Sequence, residues 1–450
     1  MGRVTPEDVR ELAHDRLVPL FDTERTRLDR IDHWYRWNPE AVKLPRTATE
    51  EDKYLASLAR TPWLWLVVKT IAQTLFLERV YSGRLAPDEV GPIWAPWDRN
   101  GMHAKQIPLH KAALAYGLAY TLTLPGDTGA VITCHSPRES LAVYGDVVDD
   151  EFPMYFLRVI PQARGRLLRV VDDEAVHFLG VEADSDSPKY IEPRFHGLGY
   201  VPVARYANEI DLEGRAPGEV EPFIPTAARI NKTDYDRLLT QHWNSWKVRT
   251  ATGLDEQSNT ADTKLRLRQQ DILTGGEGVE FDTLDETSLE PFIKAHDSDV
   301  EALAATSQTP MTAFGKLINV SAEGLAEARA ALYAKRDERQ VTFGSAHMQT
   351  LRISADVEGR TADAQDFTLR GKWADTDIRT MQAAADALGK AATMLGVPAE
   401  LLWDELPNVD LAKADAWRRF AAEHPSAAQR EAAAVERQAA AIERQSSPGL

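Results

Sequence analysis

Cysteine is nearly absent from this sequence: Cys134 is the single one in 450 residues. A disulfide within the chain and a cysteine-based zinc site are therefore excluded, and folding in a reducing compartment such as a bacterial cytoplasm is expected. Basic residues are also outnumbered, with 52 Lys and Arg against 69 Asp and Glu and a net charge of −17. Proteins that grip nucleic acid by broad charge attraction are basic, so any contact with DNA must be local or loose.

The sequence also lacks a long apolar run. Residues 63–77 form the most apolar stretch, but these 15 residues include Lys69 and Gln73 and are too few to span a bilayer. The spacing of the apolar side chains instead predicts a buried amphipathic helix. Residues 1–16 are charged throughout and lack the apolar centre of a signal peptide. No membrane partner is expected.

Proline divides the chain into two halves of different character. Nineteen of the 25 prolines lie in residues 1–225, and residues 311–397 contain none. Because proline removes a backbone donor and fixes φ, the second half is predicted to hold the long helices. In the first half, residues 1–85 read as helices and residues 110–206 as strands with turns. The predicted strands are Tyr120–Leu124, Val131–Cys134, Tyr155–Ile160, Leu167–Val171 and Val176–Leu179.

The second half predicts two helices on either side of a polar insertion. Apolar and aromatic residues at three- and four-residue spacing within 235–246 indicate the first helix, and residues 289–307 form the second. The insertion contains Lys264, Arg266 and Arg268, whose alternation places three cations on one face of a strand. Such a band suits a salt-bridged subunit interface or a narrow contact with phosphate, and we favour the interface.

Acidic residues are concentrated just after this cationic strand. Residues 271–301 contain ten acidic residues and one base, Lys294. Such a run is ordinarily a solvated face that keeps a protein soluble. In a ring of subunits the same run would form an acidic belt, to which DNA would not adhere. The acidic belt is assigned to Glu277, Glu280, Asp282, Asp285 and Glu286.

A loop at residues 308–320 precedes the longest predicted helix, Ser321–Val357. At about 1.5 Å per residue this helix would span on the order of 55 Å, so we expect other subunits to cover its apolar positions. Gly344 is predicted to kink it. The tail contains two heptads within residues 432–445, which are too few for a free coiled coil and predict a terminal helix.

The sequence contains none of the common catalytic motifs. A Walker A loop, a dinucleotide-binding glycine loop, a nucleophile elbow and a His-Glu-x-x-His motif are all missing. One metal-like cluster, Asp172, Asp173, Glu174 and His177, lies between two predicted strands, where a hairpin turn is favoured. No catalytic residue, metal or cofactor is therefore expected. The alternatives left open are a metal-dependent nuclease or hydrolase using this cluster, and a monomeric helical scaffold or adaptor.

Three blocks of residues follow one another between positions 195 and 400. They comprise His196–Val203 with Asn208, Glu219–Glu221 and Asn231; Gln308–Pro310 with Gly315, Asn319–Ser321, Leu325 and Lys335; and Trp373 with Ala384–Ala387, Lys390 and Gly396–Pro398. Their order and spacing resemble the portal proteins of tailed bacteriophages, in the branch common among phages of Gram-positive hosts. Gly218 departs from the pattern, because such portals often have serine there, and we interpret the change as affecting a cap.

The resemblance implies an α+β, mainly helical subunit that closes with its copies into a ring around a central channel. The parts of such a subunit are called wing, stem, clip and crown. The resemblance assigns residues 1–60 to N-terminal peripheral helices, 61–220 to the wing, 221–249 to stem helix 1, 250–288 to the clip, 289–307 to stem helix 2, 308–320 to the tunnel loop, 321–372 to a long kinked wing helix with its following segment, and 373–450 to the crown and helical tail.

The function implied by the resemblance is a non-enzymatic channel at the capsid vertex, through which DNA is packaged and ejected. The implied partners are about twelve copies of the chain, double-stranded DNA, terminase, the major capsid protein and scaffold, and a head–tail connector or adaptor. In the tunnel loop, Gln308, Lys316 and Asn319 are expected to line the channel. Lys316 either touches phosphate transiently or pairs with an acid on a neighbouring loop. The protein is expected in the virion, after assembly in the host bacterial cytoplasm.

Overall fold

A computed structural model gives the architecture of most of the chain. It describes residues 5–36, 40, 42–85, 89–185, 187–245, 249–252, 280–283, 286–316, 322–375, 381–406, 409 and 411–424. The chain divides into two compact units, residues 1–372 and 373–450. Helices and antiparallel sheets both build the larger unit, so the predicted α+β class is confirmed.

Helices open the larger unit, as predicted, and are followed by a strand that the sequence analysis missed. The first helix begins at a capping box in which Thr5 and Asp8 satisfy each other's backbone amides. A π-helical turn, Ala13–Leu17, joins it to the second. The elements are α1 (Pro6–Leu12), α2 (Val18–Tyr35), α3 (Glu50–Leu58), α4 (Trp63–Ala72), β1 (Leu77–Tyr81), α5 (Gly91–Arg99) and α6 (Met102–Tyr116). The apolar stretch at 63–77 contains α4, which buries one face as predicted.

The strands predicted between residues 120 and 179 are confirmed, and β4, β8 and β9 accompany them. The strands are β2 (Leu118–Gly126), β3 (Gly129–His135), β4 (Ser140–Val143), β5 (Tyr155–Gln162), β6 (Gly165–Val171), β7 (Ala175–Val181), β8 (Lys189–Phe195) and β9 (Val203–Ala207). One sheet has the order β3-β2-β9 and the other the order β4-β5-β6-β7-β8. Every neighbouring pair in these two sheets is antiparallel.

The five-stranded sheet is covered differently on its two faces, because successive side chains of a strand point to opposite sides. On one face, Leu157 and Leu168 pack with α1, the π-helical turn and the start of α2 in a core that includes Leu17. On the other face, Phe156 and Val171 pack against residues of β2 and β9. The three-stranded sheet therefore covers the end of that face where Phe156 lies.

Two helices flank the polar insertion, as predicted: α7 (Ile224–Asn244) and α8 (Glu290–Thr306). They pack on each other and are joined by an ion pair of 2.8 Å between Arg229 and Asp299. At the base of the insertion, β10 (Arg249–Thr252) pairs antiparallel with β11 (Glu280–Thr283). The chain therefore leaves and re-enters the helix pair at adjacent positions.

The longest helix is α9 (Ala322–Val357), which begins and ends close to the predicted bounds. It passes through Gly344 without a break in the helix, and a kink there stays a prediction. The C-terminal half is buried by the same chain, against β2, β9 and α5, with Phe343, His347 and Leu351 fully buried. The expectation that its apolar positions need other subunits is therefore wrong for this half, because sheets and helices of the same unit already cover it.

The larger unit ends with α10 (Thr361–Ala364) and β12 (Arg370–Trp373), which pairs with β1. The smaller unit contains α11 (Met381–Met394) and α12 (Leu411–Glu423), separated by two 3₁₀ turns. The predicted heptads at 432–445 lie outside the described residues. None of the helices that the structure describes has the length and apolarity needed to cross a bilayer. The ranges assigned to wing, stem, clip, tunnel loop and crown stay predictions.

Candidate functional site

The loop that follows α8 is folded back onto that helix. Thr309 donates its backbone amide to the Ala304 carbonyl at 2.9 Å, and a 3₁₀ turn covers Met311–Phe314. Gly315 ends the turn with a φ of 85°, a conformation that glycine adopts without steric cost. Gln308 also has a positive φ, 54°, and is exposed. The sequence therefore builds a short, tightly turned segment at the end of α8.

Lys316, which was expected to meet DNA or an acid on a neighbouring loop, contacts two acids of α8 in its own chain. Its Nζ lies 2.7 Å from the Glu301 carboxylate and 3.6 Å from that of Asp297. The hydrogen bond to Glu301 raises the pKa of Lys316 above its ordinary value. Asn319 lies outside the described residues. Contact of this loop with DNA stays a prediction.

A buried group of charged and polar side chains contacts the C-terminal end of α8. We call Asn208, Glu219, Lys335 and Arg339 the Glu219 network; between 1% and 7% of each residue is exposed. Lys335 Nζ contacts the Glu219 carboxylate and donates to the Ser307 carbonyl at 3.0 Å. Arg339 donates through Nε to Asn208 Oδ1 at 2.7 Å. Its Nη2 lies 3.4 Å from Glu219 Oε1, so both cations share one carboxylate.

Two glycines bring Glu219 into this position. The Glu219 amide donates to the Leu114 carbonyl at 2.6 Å, which draws the chain against the end of α6. A Cβ on Gly218 would lie 2.4 Å from the Ala115 carbonyl oxygen, and one on Gly117 would lie 1.9 Å from that of Ala216. Only glycine permits this approach of two backbones. Gly218 is therefore a packing position, and interpreting it as a cap was wrong.

Burial makes the charges of the Glu219 network interdependent. Desolvation lowers the pKa of Lys335, and the attraction of Glu219 opposes that shift. Arg339 also lies 3.3 Å from Glu209 and 3.0 Å from Glu338, whose side chains are 60% and 61% exposed. Removing one partner from a buried ion pair leaves an uncompensated charge, which is strongly destabilising. Because Lys335 also bonds Ser307, displacement of the end of α8 requires a contact with α9 to break.

The sequence analysis named most of this network without recognising it. Asn208, Glu219 and Lys335 all occur in the blocks that carry the resemblance, but no role was predicted for them. Arg339 was missed. The available signal was its spacing from Lys335, because residues four apart lie on the same face of a helix.

The metal-like cluster is a hairpin turn, as the sequence analysis favoured. Asp172 Oδ1 accepts the backbone amides of Glu174 at 3.0 Å and Ala175 at 2.7 Å, while Oδ2 lies 2.8 Å from His177 Nε2. Burial opposes ionisation of Asp172, but these hydrogen bonds outweigh it and lower the pKa of Asp172. Across the ranges that the structure describes, no group of three or more His, Cys, Asp or Glu is placed to hold a metal ion.

The three cations of the predicted clip and two of the five residues of the predicted acidic belt lie outside the residues that the structure describes. Lys264, Arg266 and Arg268 lie outside the described residues, as do Glu277 and Asp285. The remaining members of the acidic belt lie at the base of the insertion. Glu280 and Asp282 are on β11, opposite Thr252 and Thr250, and Glu286 is exposed before α8. The roles of all these residues stay predictions.

Comparison with known proteins identifies one family. The family described as "Phage portal protein, SPP1 Gp6-like" matches residues 15–430. No curated protein matches the chain. Among solved structures, a chain of "Neck of native GTA particle computed with C12 symmetry" is 12% identical, with 82% of this chain and 93% of that chain covered and a TM-score of 0.41. A chain of "Neck of empty GTA particle computed with C6 symmetry" is 11% identical, with 80% and 96% covered and the same TM-score. Scores of this size carry no conclusion about this chain.

Proposed function

The chain belongs to the SPP1 Gp6-like family of phage portal proteins, and on this premise we propose that it closes with its copies into a ring through which double-stranded DNA passes. The ring is proposed to stand at the capsid vertex of the virion, after assembly in the bacterial cytoplasm of the host. The family match over residues 15–430 carries this proposal. The role is a physical channel rather than an enzyme, and no observation favours the nuclease or the scaffold alternative.

The proposed parts follow the elements of the larger unit. The helices α7 and α8 are the stem, the insertion that begins at β10 and ends at β11 is the clip, and residues 308–320 are the tunnel loop. The antiparallel pairing of β10 and β11 supports a clip that projects from the stem and returns to it. The smaller unit, residues 373–450, is the proposed crown.

The proposed channel holds DNA only loosely. A lining that bound phosphate tightly would stall a duplex of any sequence, so an acidic or neutral surface is useful there. Lys316 supports this picture, because its ammonium group is already bonded to Glu301 and close to Asp297. A passing phosphate must compete with these two carboxylates for Lys316. Gln308 and Asn319 are proposed to face the channel beside it.

The proposed partners contact different parts of the ring. The clip would meet terminase during packaging and the head–tail connector afterwards, and its cations Lys264, Arg266 and Arg268 would pair with acids of a neighbouring copy. The major capsid protein and the scaffold would contact the periphery of the ring.

Native mass measurement and negative-stain imaging of the purified full chain test the ring. A ring of about twelve copies of a 50.1 kDa chain has a mass of roughly 600 kDa and a visible central hole. A single copy of about 50 kDa under all assembly conditions, including inside particles, would contradict the proposal. Imaging at several protein concentrations distinguishes a ring that dissociates on dilution from a protein that stays monomeric.

A further inference from the structure

Two arginines lie on the Phe156 face of the five-stranded sheet, and no acid of the described residues pairs with them. Arg158 on β5 and Arg169 on β6 lie directly opposite each other in the strand register. Their Nε atoms are buried and, among the described residues, have no hydrogen-bond partner. Neither side chain forms an ion pair within the described ranges. Like charges facing each other across a sheet destabilise it, and none of the acids that the structure describes pairs with either guanidinium group to offset this repulsion.

The two guanidinium groups line a cavity of about 330 Å³. We call Arg158, Arg169 and this cavity the arginine socket. Its other walls are mostly apolar, with Leu122, Phe156 and Phe178 among them. Burial, together with the charges of Arg158 and Arg194, lowers the pKa of Arg169. Arg194 also lines the cavity but is already bonded to Glu192 at 3.0 Å.

The edge of the sheet beside the arginine socket is also uncovered. The strand β8 is the last of its sheet, and in the described part of the chain no further strand pairs with its free side. Ile191 and Phe195 on this strand are 58% and 60% exposed. A cavity with mostly apolar walls and two half-buried arginines, next to an exposed apolar edge, fits an acidic side chain carried by an apolar protein segment. Duplex DNA fits it poorly, because phosphates cannot fill an apolar cavity.

Resting on the proposed ring, we propose that the arginine socket receives an acidic side chain from a neighbouring copy of this chain. The ring supplies the geometry, because each subunit of a cyclic ring presents two different surfaces to its two neighbours. The strands β8 and β4 are the two edges of the five-stranded sheet, and we assign them to these two surfaces. The complementary segment follows β4: it is the turn at residues 146–149.

The turn at 146–149 matches the arginine socket in charge and in apolar character. Val147 and Val148 are 41% and 37% exposed. The carboxylate of Asp146 is engaged within the turn, where it accepts the amides of Val148 and Asp149. Asp149 is exposed, and its carboxylate has no partner among the described residues. Asp149 is therefore the acid assigned to the arginine socket of the next subunit.

Charge reversal in the arginine socket tests this assignment in the full chain. Arg169→Glu should raise the protein concentration needed for half assembly, measured by native mass, by on the order of tenfold or more. Its thermal unfolding midpoint as a monomer should not fall, because the repulsion between Arg158 and Arg169 is removed. Arg164→Glu is the matched control, since it makes the same change in the exposed turn of the same hairpin and should assemble normally. If Arg169→Glu fails to fold, Arg169→Met is measured in its place.

A second charge reversal, at Asp149, tests whether this residue is the acid that enters the arginine socket. Asp149→Arg should reproduce the assembly defect, and the double variant with Arg169→Glu should restore much of the assembly, because every interface then regains an opposite pair. Normal rings from either single variant overturn the proposal. Normal ring yield with weaker retention of a 20-base-pair duplex in Arg169→Glu would overturn it in favour of DNA. Absence of rings from the unaltered chain would instead overturn the proposed function, and the arginine socket with it.

Discussion

The Glu219 network and the arginine socket both contain closely placed cations, but the network is buried with its own carboxylate, whereas the arginines of the socket are half-buried. In the network, Arg339 and Lys335 share the carboxylate of Glu219 within one chain. In the arginine socket, Arg158 and Arg169 face each other with no acid from the described residues. Because like charges opposite each other destabilise a sheet, we assign the paired site a role inside the subunit and the unpaired one a role between subunits.

The largest effect on stability is expected from removing the carboxylate that the two cations of the Glu219 network share. Glu219→Gln leaves Lys335 and Arg339 buried without their shared carboxylate, which should reduce the free energy of unfolding by about 3–5 kcal/mol. Chemical denaturation of the full chain measures this loss. Glu221→Gln is the matched control: Glu221 pairs with Arg27 at the surface, and its loss should cost under about 1 kcal/mol. An equal loss of free energy of unfolding in the two variants would contradict the conclusion that burial makes the Glu219 carboxylate more important for stability.

A third site is a buried pair of histidines that carries no charge. His110 and His347 are fully buried, with their Nε2 atoms 2.7 Å apart. His110 Nδ1 donates to the Leu75 carbonyl, so its Nε2 accepts from His347, whose Nδ1 in turn accepts from the Tyr206 hydroxyl. Burial lowers the pKa of His110 from 6.5 to about 4 and that of His347 well below 6.5. Both rings are therefore neutral.

Acid should destabilise the larger unit through these histidines. Because the pKa of His110 is lower in the folded chain, the unfolded chain takes up the proton first, and stability is lost as pH falls from about 6.5 to about 4. The loss from His110 alone is on the order of 3 kcal/mol. Unfolding midpoints measured across this range test it. His110→Gln should flatten the profile and the exposed His103→Gln should not; identical profiles for both variants would refute the assignment.

A smaller effect is expected from displacing Glu219 without removing it. Gly218→Ser places a Cβ close to the Ala115 carbonyl oxygen, and the backbone must shift, at a cost of about 1–3 kcal/mol. Gly389→Ser is the control, because a Cβ at Gly389 meets no atom within 4 Å. A fall in the unfolding midpoint for Gly218→Ser alone is the expected result. Equal midpoints would mean that the close approach of the two backbones is not rigid.

The smallest effect on stability belongs to the exposed ion pair of Lys316. Lys316→Ala should leave the unfolding midpoint and ring assembly unchanged, because exposed pairs contribute little. Packaging or retention of DNA in assembled particles should change if the lysine exchanges between Glu301 and phosphate. Lys294→Ala is the control, since Lys294 pairs with Glu290 on the same helix. Unchanged packaging and retention in both variants would count against the phosphate contact.

Sequence reasoning succeeded where local patterns decide the structure. The strands at 120–179, the helices on either side of the insertion and the turn at Asp172 all follow from local composition, helical periodicity and turn chemistry. It failed where distant segments meet. The Glu219 network joins residues 131 positions apart, from 208 to 339, and β1 pairs with β12, so neither leaves a local signal. Gly218 shows the same limit, because its neighbour Ala115 lies far away in the chain.

The pairing of β10 with β11 has a consequence for how this protein can diverge. Arg249 faces Thr283 and Thr252 faces Glu280. The pairing of these two strands therefore holds the two ends of the intervening 27 residues next to each other. Since closing a longer loop adds free energy only slowly with its length, a change in the length of this segment should alter the stability of the fold little. Insertions or deletions within these 27 residues are therefore expected to leave the packing of α7 on α8 intact.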